Sequence, residues 1–245
     1  MRERPRRRLH IDATLRANER VTLERDRAHY LTRVLRLDRG AAVTLFNGDG
    51  LDYDGVIVDI ARNQAVIEIE TTQAARSGLD PAVVIALPIL KGERMDFALQ
   101  KATELGASRF LLTTCSRGDV ALSADRLDNR LRHWLGVVRS ACEQCGRATV
   151  PTIEPPRPLR ERLADSGPLA VCLDASGEPP QVALTRSQWR GELRLFSGPE
   201  GGFAADELEA LSGAAQLVRH GALTLRAETA PLVGLTLVGA LRELS

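Results

Sequence analysis

No feature of the sequence narrows the fold as far as the alternation that fills its last two thirds. The runs AVVIAL, RFLLTT, LAVCLD and LRLF are short and rich in Val, Leu, Ile and Phe, as strands buried on both faces must be. Between and after them lie helical patterns: one over 93–105 closed by Gly106, a long one over 127–145, a short one over 205–211 and an apolar one over 229–244. QLVRH, ahead of the last of these, reads as a further strand. Parallel strands can be joined only by a crossover of a dozen or more residues, usually a helix. The alternation therefore specifies an α/β domain with a mainly parallel sheet. The proline-rich EPPRP at 154–158 reads as a loop within it, since the alternation resumes directly afterwards.

The first part of the chain has another texture. From Val21 to about Thr72 the apolar residues come in short runs, AAVTLF, LDYDGVIVDI and QAVIEIE, with NGDG and ARNQ as connecting turns. This is the pattern of a small β-rich domain. Within it, DRAHYLTRVLRL at 26–37 predicts a helix with Tyr30, Val34 and Leu37 on one face and Arg33 and Arg36 on the other. Residues 72–81 hold few large apolar side chains and end in Pro81, so the domains are placed at 1–73 and 74–245.

At 245 residues and 44% hydrophobic, the chain can bury two cores of this kind. Its formal net charge of +1 conceals a cluster, Arg2, Arg4, Arg6, Arg7 and Arg8 against the single acid Glu3, which suits a phosphate surface. Lysine occurs only at 91 and 101. Guanidinium forks grip phosphates bidentately, although a genome-wide preference for Arg would leave the same excess. Four cysteines, at 115, 142, 145 and 172, make no dense disulfide framework, and no apolar leader follows the basic N-terminus. A cytoplasmic location is expected. The longest apolar stretches, 82–90 and 231–241, fall short of the ~20 residues of a membrane-spanning helix, so no membrane span is expected.

Four segments carry candidate chemistry. In ACEQCGR (141–147) the CxxC spacing suggests zinc or redox work, but a tetrahedral zinc site needs a second pair of ligands. His133 lies nine residues before Cys142 on the same predicted helix, and Cys115 and Cys172 stand on separate strands. A redox CxxC opens a helix, where the dipole lowers the thiol pKa, whereas this one closes a helix. Cys142 and Cys145 are therefore expected to pack, with no metal. Glu143, Gln144 and Arg147 beside Gly146 form either a hydrogen-bonding cluster or a solvated helix end.

Ligands of parallel sheets collect at the carboxyl ends of strands, which directs attention to two loops. SGPEGGF (197–203) follows a strand and precedes a helix, and its glycines expose backbone N–H groups while Pro199 stiffens the turn. It is a wall for a flat ligand or simply a tight turn, and it is neither a GxGxxG nor a P-loop. In GALTLRAETAP (221–231), Thr229 can cap the last helix with Pro231 in its first turn, Glu228 suits the positive end of the helix dipole, and Arg226 requires an anionic or carbonyl partner. The fourth segment, Lys91-Gly92-Glu93-Arg94, is a charged helix face or a substrate-facing patch.

Taken in order, HYLTRVLRL with LFNGDG, KGERMDFALQKATELG, ACEQCGR followed by Pro151, SGPEGGF and LRAETA resemble the RsmE family of bacterial 16S rRNA methyltransferases, knotted SPOUT-superfamily enzymes that use S-adenosylmethionine to make 3-methyluridine. The resemblance runs nearly end to end. It implies a PUA-like β-barrel for RNA binding at the N-terminus and a SPOUT-type trefoil-knot methyltransferase domain at the C-terminus. It also implies a homodimer, for whose interface the apolar helix 231–244 is suited. By the same resemblance, S-adenosylmethionine is held by Leu173, by Gly198, Pro199, Glu200, Gly201 and Gly202, and by Leu223, Leu225, Arg226 and Thr229, largely through backbone groups. Arg226 and Arg147 would stabilise a uridinate anion, and Glu228 would act as general base at N3. RNA contacts are expected at Arg2, Arg4, Arg33, Arg36, Lys91, Arg94, Glu143 and Gln144. Where the family has Leu-Gly-x-Arg-Ile-Leu-Arg, this chain puts His220, Leu223 and Thr224 in place of the Leu, the first Arg and the Ile, so a role of that missing Arg does not carry over. The rival readings are a SPOUT enzyme acting on tRNA and a non-catalytic RNA-binding protein with a degenerate fold.

Overall fold

The computed structural model describes residues 7–118, 123–165, 169–183 and 191–243, so the contacts expected of Arg2 and Arg4 lie outside the described residues. The chain divides into two compact units, Met1–Ser77 with Cys142–Val150, and Gly78–Ala141 with Pro151–Ser245. The division falls a few residues after the expected 73/74 boundary, because the last strand of the first unit runs on through Ala74. The end of ACEQCGR also returns to the first unit, which the linear reading of the sequence did not anticipate.

The first unit is built on β1 (Arg7–His10), β2 (Arg20–Glu24), β3 (Ala42–Phe46), β4 (Leu51–Ala61) and β5 (Gln64–Ala74). They form one sheet in the order β1-β3-β4-β5-β2, parallel between β1 and β3 and antiparallel elsewhere. Residues two apart, such as Val43 and Leu45 or Ala65, Ile67 and Ile69, point to the same side and form the core with Leu9, Leu23 and Ile57. Two register shifts between β4 and β5 bend this ribbon around that core. Beside the first of them sits Gly55, where an added Cβ would lie 2.4 Å from the Glu68 carbonyl oxygen, so only glycine lets β5 approach this closely.

The helix expected over 26–37 is shorter and wider. α1 covers Arg25–His29 and passes into a π-helical turn, Tyr30–Val34, in which the Leu35 N–H reaches the Tyr30 carbonyl at 2.9 Å. The wide turn shifts the buried face away from the 3.6-residue register. Ala28 and Leu31 enter the core, whereas Val34, expected inside, is 59% exposed.

The second unit contains β6 (Val83–Pro88), α2 (Glu93–Glu104), β7 (Arg109–Thr114), α3 (Ala124–Cys145, whose last turn counts with the first unit), β8 (Thr152–Pro158), α4 (Leu159–Ala164), β9 (Leu169–Glu178), α5 (Pro180–Ala183), β10 (Leu193–Phe196), α6 (Ala205–Ala214), β11 (Gln216–Val218) and α7 (Ala230–Glu243). All pairings are parallel, in the order β11-β9-β10-β6-β7-β8. EPPRP proves to be part of β8 rather than a loop. Its prolines are tolerated because β8 is the edge strand, paired only with β7, and need not donate hydrogen bonds outward.

All six residues of β6 are buried, at the centre of the sheet. From it the chain adds β7 and β8 on one side, then switches to the other for β9, β10 and β11. Such a switch leaves a crevice outside the carboxyl ends of the strands that flank it. Among the described residues no helix is long and apolar enough to cross a membrane.

Candidate active site

The middle of β9 and the loops that leave the carboxyl ends of β10 and β11 line one cavity of about 560 Å³ in the second unit. Leu173, Asp174 and Ala175 come from the first, Gly198, Pro199, Glu200, Gly202 and Phe203 from the second, and residues 218–228 with Ala230 from the third; Arg94 of α2 joins them. Of the expected cofactor residues, Leu173, Gly198, Pro199, Glu200, Gly202, Leu223, Leu225 and Arg226 line the cavity. Gly201 does not: its carbonyl accepts from Arg117 Nη1 at 3.3 Å. Thr229 is taken up by the start of α7, where its carbonyl accepts from the N–H groups of Leu232 and Val233.

The glycine-rich loop is shaped from several sides. A Cβ on Gly198 would lie 3.0 Å from the Phe203 ring, and Gly202 has φ of 69°, so both positions favour glycine. Glu200 Oε1 accepts from the Lys91 backbone N–H and from Arg94 Nη1, each at 3.4 Å, which ties the loop to the start of α2. Glu207, unnoticed in the sequence, is 5% exposed and divides its carboxylate between two loops. Its Oε1 accepts from the Ser116 N–H at 2.6 Å, and its Oε2 from the Ala204 N–H at 2.9 Å. An acid three residues after a helix N-cap was the signal that could have found it. Burial, with Glu207 adding to it against a lowering hydrogen bond from Thr113, pushes the nearby Cys115 thiol up to about 11.

In the loop after β11 Arg226 is exposed, and its Nη1 stands 3.9 Å from Glu228 Oε1. Glu228 is 8% exposed, lines the cavity, and keeps a buried oxygen, Oε2, with no hydrogen-bond partner among the described residues. A buried carboxylate oxygen with no donor is costly, and a ligand that supplies one removes the cost. Leu223 is 85% exposed at the mouth of the same cavity.

The remaining expected residues belong to the first unit or to open surface. Glu143 Oε1 accepts from the His10 backbone N–H at 3.0 Å and from Arg27 Nη1 at 3.4 Å, fastening the end of α3 to β1. Arg147 is buried, and desolvation lowers its pKa; its Nη2 donates to Thr149 Oγ1 at 3.2 Å. Gln144, Arg33 and Arg36 are exposed, as are Lys91 and Arg94 in the second unit. Cys142 is fully buried, its Sγ donates to the Thr149 carbonyl at 3.7 Å, and burial pushes its thiol up to about 12. Among the described residues no group of His, Cys, Asp and Glu could hold a metal ion.

Comparison with known proteins gives this arrangement a class. The family model of the RNA methyltransferase domain matches residues 79–239, and that of the RNA methyltransferase PUA domain matches 23–70. The protein is an RNA methyltransferase with a SPOUT-type catalytic domain behind a PUA domain. A Legionella pneumophila protein solved with bound SAM superposes at a TM-score of 0.90 over 96% of this chain and 98% of its own, at 26% identity. Ribosomal RNA small subunit methyltransferase E from Neisseria gonorrhoeae, bound to S-adenosyl methionine, superposes at 0.85 over 96% and 98%, at 28% identity. The enzyme of that name from Synechocystis is 31% identical over 91% of this chain and 74% of its own length. The chain belongs to the ribosomal RNA small subunit methyltransferase E family.

Proposed function

We propose that this chain transfers the methyl group of S-adenosylmethionine to N3 of a uridine in the 16S rRNA of the small ribosomal subunit, giving 3-methyluridine, and works as a cytoplasmic homodimer. The observation that carries the reading is Glu228: a buried carboxylate with an unpartnered oxygen, lining a cavity of about 560 Å³ beside Arg226. The cavity has the size of an ordinary small-molecule site. Its glycine-rich wall presents the backbone of Gly198 and Gly202 beside the Glu200 carboxylate, which fits a donor that is itself cationic and carries a flat adenine.

S-adenosylmethionine, when bound, supplies an electrophilic sulfonium methyl. The chain's own residues do the rest. Residues of the middle of β9 and of the loops after β10 and β11 hold the donor, and the Glu207 carboxylate keeps the loop after β10 in place. Glu228 accepts the N3 proton of the uridine, since nitrogen is a poor nucleophile while protonated. Arg226, exposed at the mouth, sets its guanidinium against the charge that develops on a pyrimidine oxygen. Arg147 stays a candidate for the same work, and Arg33, Arg36, Lys91, Arg94 and Gln144 for RNA contact. The homodimer is supported by α7, an apolar helix whose Leu232, Val233 and Leu237 are only partly buried.

Mass mapping of 16S rRNA from a strain lacking the gene tests the reading. Loss of 3-methyluridine, restored by the wild-type gene and not by a Glu228→Gln copy, is expected. An unchanged rRNA map overturns it.

A further inference from the structure

We propose a phosphate-binding groove on α3, formed by Arg126, Asn129, Arg130 and His133, that grips the backbone of the rRNA outside the methyl-transfer cavity. The proposal rests on the reading of the protein as an rRNA enzyme, and its test is separable from that reading.

The four residues line a second cavity, of about 440 Å³. Their spacing of i, i+3, i+4 and i+7, at roughly 100° per residue, gathers them within about a quarter turn of the helix. The same geometry sets Asp128 roughly 160° from Arg126, while Asp125, roughly 100° from Arg126, borders the stripe beside Asn129. On another face, Trp134 and Val138 are buried and anchor the helix. The basic stripe is thus held outward on a packed element.

Its charge is not neutralised internally. Some exposed arginines of this unit meet carboxylates: Arg157 pairs with Glu161 and Asp165, and Arg160 with Asp206. Arg126 and Arg130 make no ion pair among the described residues. The groove also offers donors. Asn129 Oδ1 accepts from Arg132 Nη2, which leaves the Asn129 amide nitrogen as its donating end. The acid at its rim, Asp96, holds His133 Nε2 at 2.7 Å and fixes that ring. Two guanidinium forks and an amide N–H, none of which can accept a hydrogen bond, match the oxygens of a phosphodiester and reject cationic or donor-only ligands.

The test uses the full-length protein and the double variant R126A/R130A. Affinity for purified 16S rRNA is measured across a salt titration, with S-adenosylmethionine binding and melting temperature measured on the same samples. Each lost phosphate contact on single-stranded RNA removes about 0.7 from the slope of log affinity against log salt, so the variant's slope should be shallower by about 1.4. Affinity at low salt should fall roughly 10-fold, with melting and donor binding unchanged. R126K/R130K, which keeps the charge and loses the fork, should recover the slope and only part of the affinity. Unchanged slope and affinity in R126A/R130A overturn the groove. So does a groove that binds millimolar inorganic phosphate while RNA affinity is indifferent to the substitutions, because it is then a small-anion site. If the wild-type protein binds the RNA but leaves its uridines unmethylated, the proposed reaction fails, and the slope comparison still decides the groove.

Discussion

Glu228 and Cys142 are both buried, and burial means opposite things for them. The thiol already has an acceptor in the Thr149 carbonyl and asks for nothing more. The carboxylate has an oxygen that the fold leaves without a donor. Glu228→Gln keeps the shape and removes the base; we expect kcat to fall about 10²- to 10⁴-fold while S-adenosylmethionine binds within roughly threefold of wild type. Near-normal turnover in a correctly folded variant would sink the assignment. Cys142→Ser/Cys145→Ser should keep methylation within a few-fold, and metal bound by the wild type but not by this variant would count against the packing role. The thiols also set an alkaline limit. Cys115 and Cys142 lie near 11 and 12 against an ordinary value of 9.0, so between those values the folded chain holds protons that the unfolded chain releases. Their contribution is intact below about pH 9 and is lost as pH rises through about 11 to 12. Melting temperature should drop over that range, and Cys115→Ser/Cys142→Ser should flatten the drop; an equally steep fall in the variant would assign it to other groups.

At the scale of elements, Glu207 shows how one side chain sets the position of two loops. Glutamine has one acceptor oxygen where the carboxylate has two, and it turns an N–H₂ toward a backbone N–H. Glu207→Gln should therefore cost about 1.5–3 kcal/mol in a melting experiment and weaken S-adenosylmethionine binding, because the 198–203 wall loses its tie to Ser116. Unaltered donor affinity would mean that the wall holds its shape by itself. This tie was not legible in the sequence, since Ser116 and Glu207 are 91 residues apart. Elements governed by local pattern were legible: RFLLTT and LRLF are the strands Arg109–Thr114 and Leu193–Phe196, and a helix ends at Cys145 as its pattern does. Two segments were not. The π turn at Tyr30–Val34 breaks the 3.6 period on which the helical reading rests, and EPPRP is a strand only because it lies at a sheet edge, a fact of topology. The site divides along the same line. The glycines of SGPEGGF declare a shaped loop, whereas the burial of one oxygen of Glu228 depends on neighbours brought in from elsewhere.

For the whole molecule, the first unit is discontinuous in sequence: its strands end by Ala74, yet it is completed by Cys142–Val150, after the chain has formed two strands, the helix α2 and most of the long helix α3 of the second unit. The contacts of the returning segment are specific. Glu143 accepts the backbone N–H of His10, a residue only 2% exposed, and the Ala148 N–H donates to the Arg76 carbonyl at 3.3 Å. Cys142 and Ala148 are fully buried there. A fragment ending at Ser77 retains every strand of the sheet but strands the His10 N–H without its acceptor, at about 1–3 kcal/mol, and uncovers the apolar surface beneath Cys142 and Ala148. For a unit of this size such a loss is comparable to the whole margin of stability. The isolated 1–77 fragment should accordingly show no sharp melting transition and poorly dispersed amide resonances, whereas the same residues in the full chain melt cooperatively. A 1–77 fragment with a cooperative transition near that of the full chain would show instead that the sheet is self-sufficient, and that residues 142–150 decorate a domain already complete without them.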